Sequence, residues 1–353
     1  VGLNYLHCIV LYCLRQFRGE RSLSAIYHLL KGKKSSQTLQ DSKWFQLEFL
    51  FGVLKDVEKN DIDKTFRQLQ ENHFIERINE RHYQLTDLGD KCLNDWLIRL
   101  PFPVYLNGLK YHQQTTLFWY RLSLLIQTVS NLLHGQKFEP IHRHEETLAW
   151  VKRYLLSKKQ IHNLGTKLYY ELTTILSAFS DEEAAMFVLR LTSYERIGWT
   201  NEQIAMFFNK DRVYVQLVFQ HVLHYMIARV EKDRNRFSVL YELLRDLYVP
   251  TPLTMSTRKT YEWLQKGKSI EQIAQIRKLK RSTIEDHLVE IAANINDFSI
   301  APFVEEQTIE KIKQTAARLQ TNQLKKIKEA LGTTVSYFEI RLVLAKVGGK
   351  RET

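Results

Sequence analysis

Residues 266–288 read KGKSIEQIAQIRKLKRSTIEDHL. The stretch opens with Gly267-Lys268-Ser269, the tripeptide that closes a phosphate-cradling loop. Such a loop follows G-x-x-x-x-G-K-[ST], which requires a glycine at position 262. That residue is Glu262, whose carboxylate would repel phosphate, and nothing like a buried strand precedes it. The stretch reads instead as two helices. Ser269 and Gln272 have capping-box spacing. Ile273 and Ala274 follow, with the small alanine where two helices cross closely. A short turn ends at Leu279, and Thr283 and Ile284 open a second helix with His287 and Leu288 one turn on. Leu279, Ile284 and Leu288 fill the wedge between them, the spacing of a helix-turn-helix. Lys278 holds the turn position where φ is positive and glycine is usual. A side chain there costs on the order of 1 kcal/mol, so a wider turn is expected.

Lys266, Lys268, Arg277, Lys278, Lys280 and Arg281 surround this turn and, with Ser282 and Thr283, are the candidate DNA contacts. Residues 258–281 carry eight basic side chains and two acidic ones, Glu262 and Glu271. Against groove reading stand Glu285, Asp286 and Glu290, which fall on the exposed side of the second helix. Glu285 has a local explanation in capping-box spacing from Ser282; the other two have none. Backbone or structure-selective contact is therefore expected rather than base readout. His287 is expected to pack against the first helix.

Away from this module the chain divides at Pro101, Pro103 and Gly108, and again at Pro250 and Pro252. Three regions follow: 1–100, 101–249 and 250–353. In the first, Asp61 is placed to cap a helix with Ile62, Phe66 and Leu69 on one face. Ile75 and Ile78 then precede a polar turn at Asn79-Glu80, Tyr83 and Leu85 alternate after it, and Thr86 can cap the next helix. Helix, hairpin, helix is the order of a winged helix. Arg77, Arg81 and His82 at the hairpin suit a phosphate backbone, the alternative being a flap packed on its own helix. In the middle region Thr200, Ile204, Ala205, a turn near Asn209, and Val215, Leu217 and Val218 repeat the helix-turn-helix pattern without its basic density. A helical scaffold or partner surface is the reading there. The fold class is mainly α: a multi-domain helical protein with a small β-hairpin in its N-terminal winged helix and a C-terminal helix-turn-helix domain.

The net charge of +12 calls for an acidic partner, of which nucleic acid is the commonest. Half of that excess lies in residues 250–353, with 18 Lys and Arg against 12 Asp and Glu. The three cysteines, Cys8, Cys13 and Cys92, fit a reducing compartment and make no metal spacing. No apolar run reaches transmembrane length, and His7 interrupts the first one, which reads as a buried helix rather than a signal peptide. A cytoplasmic protein without membrane contact is expected. No metal site is assigned to His142, His144 and Glu145, and His221 and His224 read as core-edge histidines. Neither a Walker motif nor a nucleophile pattern is present. No catalysis, cofactor or small-molecule substrate is expected.

Two stretches carry a family resemblance. Residues 8–98, with Leu30-Lys31-Gly32 between two helices, resemble the winged helix that follows the motor in RecQ-like helicases, without the cysteine zinc site common just before it. Residues 256–347, through IAQIRKL, STIEDHL and SYFEIRLVLA, closely resemble the helicase-associated helix-turn-helix domain at the C-terminus of the same helicases. Taken whole, the sequence resembles the YpbB-type proteins of Gram-positive bacteria, which carry this domain without a motor. The resemblance implies a non-catalytic accessory protein that binds duplex or forked DNA and acts with a RecQ-like helicase in repair or recombination. A helix-turn-helix transcription regulator and a docking scaffold without a DNA role are the alternatives.

Overall fold

The computed structural model describes residues 3–79, 82–158, 160–247, 253–319, 321 and 323–347. Arg81, Glu80, Pro250 and Pro252 lie outside them. Described residues form helices throughout, apart from one hairpin. The N-terminal region contains α1 (Tyr5–Phe17), α2 (Leu23–Lys31), α3 (Ser36–Trp44) and α4 (Lys59–Glu71). The antiparallel pair β1 (Ile75–Arg77) and β2 (Tyr83–Leu85) follows, in register Ile75↔Leu85 and Arg77↔Tyr83, and then α5 (Asp87–Arg99).

Local chemistry sets these boundaries. Gly32 ends α2 at φ 71°, returning its N–H to the last carbonyls. The cap of α4 is Glu58, three residues before the expected Asp61; Asp61 is its partner, accepting from the Glu58 N–H at 2.9 Å. Burial of Ile62, Phe66 and Leu69 is as the periodicity requires. Thr86 accepts from the Gly89 N–H at 3.1 Å at the start of α5. Gly89 is needed there, because a Cβ would meet the Phe74 carbonyl oxygen at 2.0 Å.

The middle of the chain holds α6 (Gly108–Leu133), α7 (Glu145–Leu156), α8 (Ile161–Leu176), α9 (Asp181–Val188), α10 (Asn201–Phe208), α11 (Arg212–Lys232) and α12 (Ser238–Leu244). The C-terminal part holds α13 (Met255–Gln265), α14 (Ile270–Arg277), α15 (Arg281–Asn294), α16 (Glu306–Leu319), α17 (Leu324–Leu331) and α18 (Tyr337–Val347). Among the described residues no helix is long and apolar enough to cross a membrane.

Contacts group the chain into two compact units. The first is Val1–Ile9, Gly52–Val57 and Lys91–Val249. Its core is built on α6 and α11, through Phe118, Leu122, Leu125, Val222, Leu223, Met226 and Ile227, all essentially without exposure. His221 and His224 belong to this interior. Their Nδ1 atoms accept from the N–H groups of Tyr105 (2.9 Å) and Asn107 (3.0 Å). Burial pushes their pKa values down to about 4 and about 3, so both rings are neutral acceptors. His142 meets Ser123 Oγ at 2.9 Å and His144 caps α7, both structural uses.

The second unit is Val10–Phe51, Glu58–Asp90 and Pro250–Thr353. Most of the N-terminal region therefore groups with the C-terminal module. α15 is its central helix, enclosed by α3, α13, α14 and α18. Trp44 of α3 packs into the C-terminal core and donates its indole N–H to the Leu344 carbonyl at 3.2 Å. Lys43 donates to the Ala293 carbonyl.

Candidate nucleic-acid interface

Ser269 caps α14 and Gln272 returns the bond to the Ser269 N–H at 3.1 Å, as the spacing predicts. Ile273, Ile284 and Leu288 are fully buried between the two helices. Lys278 adopts the left-handed conformation itself, at φ 51° and ψ 45°. The turn is therefore the tight form, not the wider one expected, and Lys278 bears the backbone cost. Two carbonyls of α14, those of Ala274 and Gln275, are satisfied by its N–H in return.

Strong polar contacts sort the candidate residues. Lys266, Lys268, Lys278, Lys280, Arg281 and Ser282 are exposed, and Thr283 is half-buried. Among the described residues no ion pair engages Lys266, Lys268, Lys278 or Lys280. The Lys266 ammonium lies 4.8 Å from the Trp263 ring centre. Arg281 pairs with Glu271 and, at 2.9 Å, with Glu285. Arg277 is a structural residue: its guanidinium donates to the Ser256 carbonyl at 2.7 Å, to Ser256 Oγ at 3.0 Å, and to Thr260 Oγ1. Thr260 in turn meets His287 Nδ1 at 2.8 Å. His287 thus packs against α14 as expected, with the Arg277 guanidinium 3.4 Å from Nδ1, and against α13 as well. Burial, then the charge of Arg277, pushes its pKa down to about 4.

The acidic residues of α15 do not face a groove. Glu290 is 4% exposed and caps α13, accepting from the Thr254 N–H at 2.5 Å and from Thr257 Oγ1 at 2.6 Å. Burial raises its pKa against the pull of those donors, and Lys34 of the N-terminal region is close enough to favour its charge. Asp286 pairs with Arg341 of α18 at 2.6 Å. Glu285 answers Arg281 rather than capping from Ser282; the residue before α15 is Lys280, which makes no side-chain cap. The N-terminus of α15 thus opens outward between cationic side chains. Its remainder is enclosed: residues 287–292 are all buried. An end-on contact to a backbone is open to this helix, and lying lengthwise in a groove is not.

In the wing, Arg77 Nε donates to the Asn79 carbonyl at 2.9 Å on the exposed face. His82 is tethered, with Nδ1 2.8 Å from Asn79 Oδ1 and its backbone bridged to Ser22. It borders a polar cleft of about 390 Å³ with His28, Lys33 and Ser35. Burial, Lys33 and Lys59 together lower the pKa of His28. Lys33, Lys34 and Lys59 are thus cationic members of this unit that linear reading did not assign to a site. No motif links them to the C-terminal module, which lies roughly two hundred residues on in the sequence.

Residues 256–344 match the family model described as a helix-turn-helix domain, an architecture associated with DNA binding. The chain is 37% identical over 348 residues to Protein YpbB of Bacillus subtilis (strain 168), covering 98% of each. This chain belongs to the YpbB family. No solved structure matches it. For this YpbB-family chain the end-to-end relation fixes the family, while the helix-turn-helix match covers α13 to α18.

Proposed function

We propose that this chain is a non-catalytic DNA-binding accessory protein of the cytoplasm, acting with a RecQ-like helicase in DNA repair or recombination. The observation that carries the DNA reading is the N-terminus of α15, uncapped by a side chain and ringed by exposed Lys278, Lys280, Arg281 and Ser282. A helix N-terminus with lysines beside it suits a phosphate, through free backbone N–H groups and the helix dipole together. Burial of α15 beyond its first turn favours backbone contact over base reading, and so structure preference over a defined operator. The helicase partnership is supported by the resemblance of the two terminal regions to the non-motor parts of such enzymes.

The test is a gel-shift series with single-stranded, duplex and forked oligonucleotides at two salt concentrations. Changing Lys278, Lys280 and Arg281 together to Glu is expected to weaken duplex and fork binding by at least a hundredfold at low salt. Unaltered binding removes the DNA reading. A footprint at one sequence that survives competitor DNA favours a transcription regulator instead. Pull-down with a RecQ-like helicase, and unwinding with and without this chain, test the partnership. Nucleotide turnover in clean material would refute the non-catalytic assignment.

A further inference from the structure

The first unit carries a second basic and aromatic surface, on α8. Its outward face presents Tyr169 and Tyr170, each 64% exposed, with ring centres 5.8 Å apart. A groove of about 630 Å³ runs beside Tyr170, lined also by His162, Lys167 and, from the segment before α12, Arg236. Lys167 and Arg236 are exposed, as is Arg234 in the same segment.

The one carboxylate on the wall, Glu171, is committed elsewhere. It is 4% exposed and accepts from the N–H groups of Val239 (3.0 Å) and Leu240 (2.9 Å), closing the N-terminus of α12. Asp233, at the same end, accepts from the Arg236 N–H at 3.2 Å. The groove therefore shows cations and one tyrosine ring to solvent while its acids face the backbone.

Two adjacent tyrosines stand in water on a helix whose other face is core. A protein partner would be expected to meet a continuous apolar patch with a polar rim. Here Tyr170 is flanked along the groove by His162, Asn163, Thr166 and Lys167, so the face is polar apart from that ring. An exposed aromatic ring beside two cations matches a single-stranded nucleic acid, whose bases are free to stack and whose phosphates track the basic side chains. In a duplex those base faces are hidden.

We propose that the α8 groove binds single-stranded nucleic acid, stacking a base on Tyr170 and holding phosphates at Lys167 and Arg236. It stands apart from the reading above, since none of its residues belongs to the C-terminal rim. The site would let one molecule hold a displaced strand on one unit while the other holds duplex.

Fluorescence anisotropy of the full chain with labelled dT16, rU16 and a 16-base-pair duplex tests it. Tyr170→Ala is expected to weaken dT16 binding about tenfold, and Tyr170→Phe, which keeps the ring, to restore most of it. Lys167→Ala with Arg236→Ala is expected to flatten the salt dependence of dT16 binding by about 1.4 in slope. Duplex affinity stays unchanged in all three. The rim variant with Lys278, Lys280 and Arg281 changed to Glu gives the converse, losing duplex and keeping dT16. Equal strength for dT16 and rU16 identifies a backbone-and-stacking site indifferent to the sugar; a preference names the natural strand. No binding of either strand, an unchanged dT16 affinity in Tyr170→Ala, or a Phe variant as weak as the Ala variant, overturns the proposal. These substitutions are exposed, so circular dichroism of each variant is expected to match the parent.

Discussion

The molecule builds the helix-turn-helix frame twice, once in each unit, and uses the two copies differently. Thr200 and Gln203 cap α10 as Ser269 and Gln272 cap α14. Both first helices have eight residues, and both end on a left-handed residue, Asn209 at φ 49° and Lys278 at φ 51°. Ile204 and Ile273 are fully buried at equivalent steps, as are Val215 and Ile284 in the second helices. The divergence is at the rim. Asp211 caps α11, accepting from the Val213 and Tyr214 N–H groups, whereas Lys280 leaves α15 uncapped. Lys210 and Arg212 are paired with Glu182 and Glu202, whereas Lys278 and Lys280 stand in solvent. Where α10 exposes Met206 and Phe207, α14 offers Gln275 and Ile276. The frame is thus a way of packing two helices onto a core, and only its rim decides whether a phosphate can approach.

The strongest way to break this comparison is to empty the two wedges. Ile204→Ala and Ile273→Ala are each expected to cost about 3 kcal/mol, the range for deleting buried aliphatic groups without collapse of the site. Amide hydrogen exchange reads each unit by itself, through α11 for the first and α15 for the second. Similar losses, each confined to its own unit, fit two equivalent frames. A null effect at either site would make that frame ornamental.

Acid should separate the units next. A histidine whose folded pKa lies below its unfolded one contributes stability that is complete above about pH 6.5. That stability is lost as the pH falls towards the folded pKa. The first unit holds His221 and His224, with folded values of about 4 and about 3, and His142, lowered chiefly by burial; the second holds His287, at about 4, and His28, lowered by burial and by Lys33 and Lys59. The buried carboxyls act in the opposite sense, since a raised folded pKa favours the fold as pH drops. Glu171 serves the first unit, and Glu290 and Asp41 the second. Between pH 7.5 and 5.5 each ring held at about 4 or below is expected to cost its unit about 1 kcal/mol, partly offset by the carboxyls, so the first unit, with two such rings, loses more than the second, with one. Replacing His224 by Gln should flatten the first unit's slope; the same acid response in both units would contradict the assignment.

How much of this could be read from residues in order follows from where each signal resides. The cap at Thr200 and the capping box at Ser269 and Gln272 are short-range chemistry, and both form. The wing and its flanking helices follow from a change of period at Ile75 and from Thr86. What was hidden is long-range. Glu290 looks like an exposed acid in a helical wheel, because nothing local says that α13 begins against it. Nor does the weakly patterned SQTLQDSKW of α3 announce that Trp44 fills the core of a module some three hundred residues later. Lys278 departs from expectation for a different reason: a strained residue is tolerated where the surrounding packing fixes it.

A rim exchange sharpens the comparison with a smaller effect. Lys280→Asp gives α15 the cap that α11 already has. It is expected to stabilise the second unit by about 1 kcal/mol while removing most duplex affinity. Stability and binding then move in opposite directions, which a merely misfolded variant cannot imitate. Thermal unfolding and the gel shift, taken on the same preparation, check both. If duplex affinity survives the new carboxylate, the phosphate is not at this helix end.

The finest difference is between the two left-handed turn residues. Asparagine tolerates this conformation better than most side chains, whereas lysine has no local hydrogen bond to offset the strain. Lys278→Gly is expected to stabilise the second unit by about 0.5–1 kcal/mol, and Asn209→Gly the first by less, since glycine adds chain entropy to the unfolded state while relieving the turn. Duplex binding by the Lys278 variant should show a salt slope smaller by about 1, because one phosphate contact has gone. Asn209→Gly should leave the slope alone. A lysine kept at a position where glycine is more stable is explained if its charge is used. An unchanged slope would mean that the residue bears its strain for nothing that DNA can see.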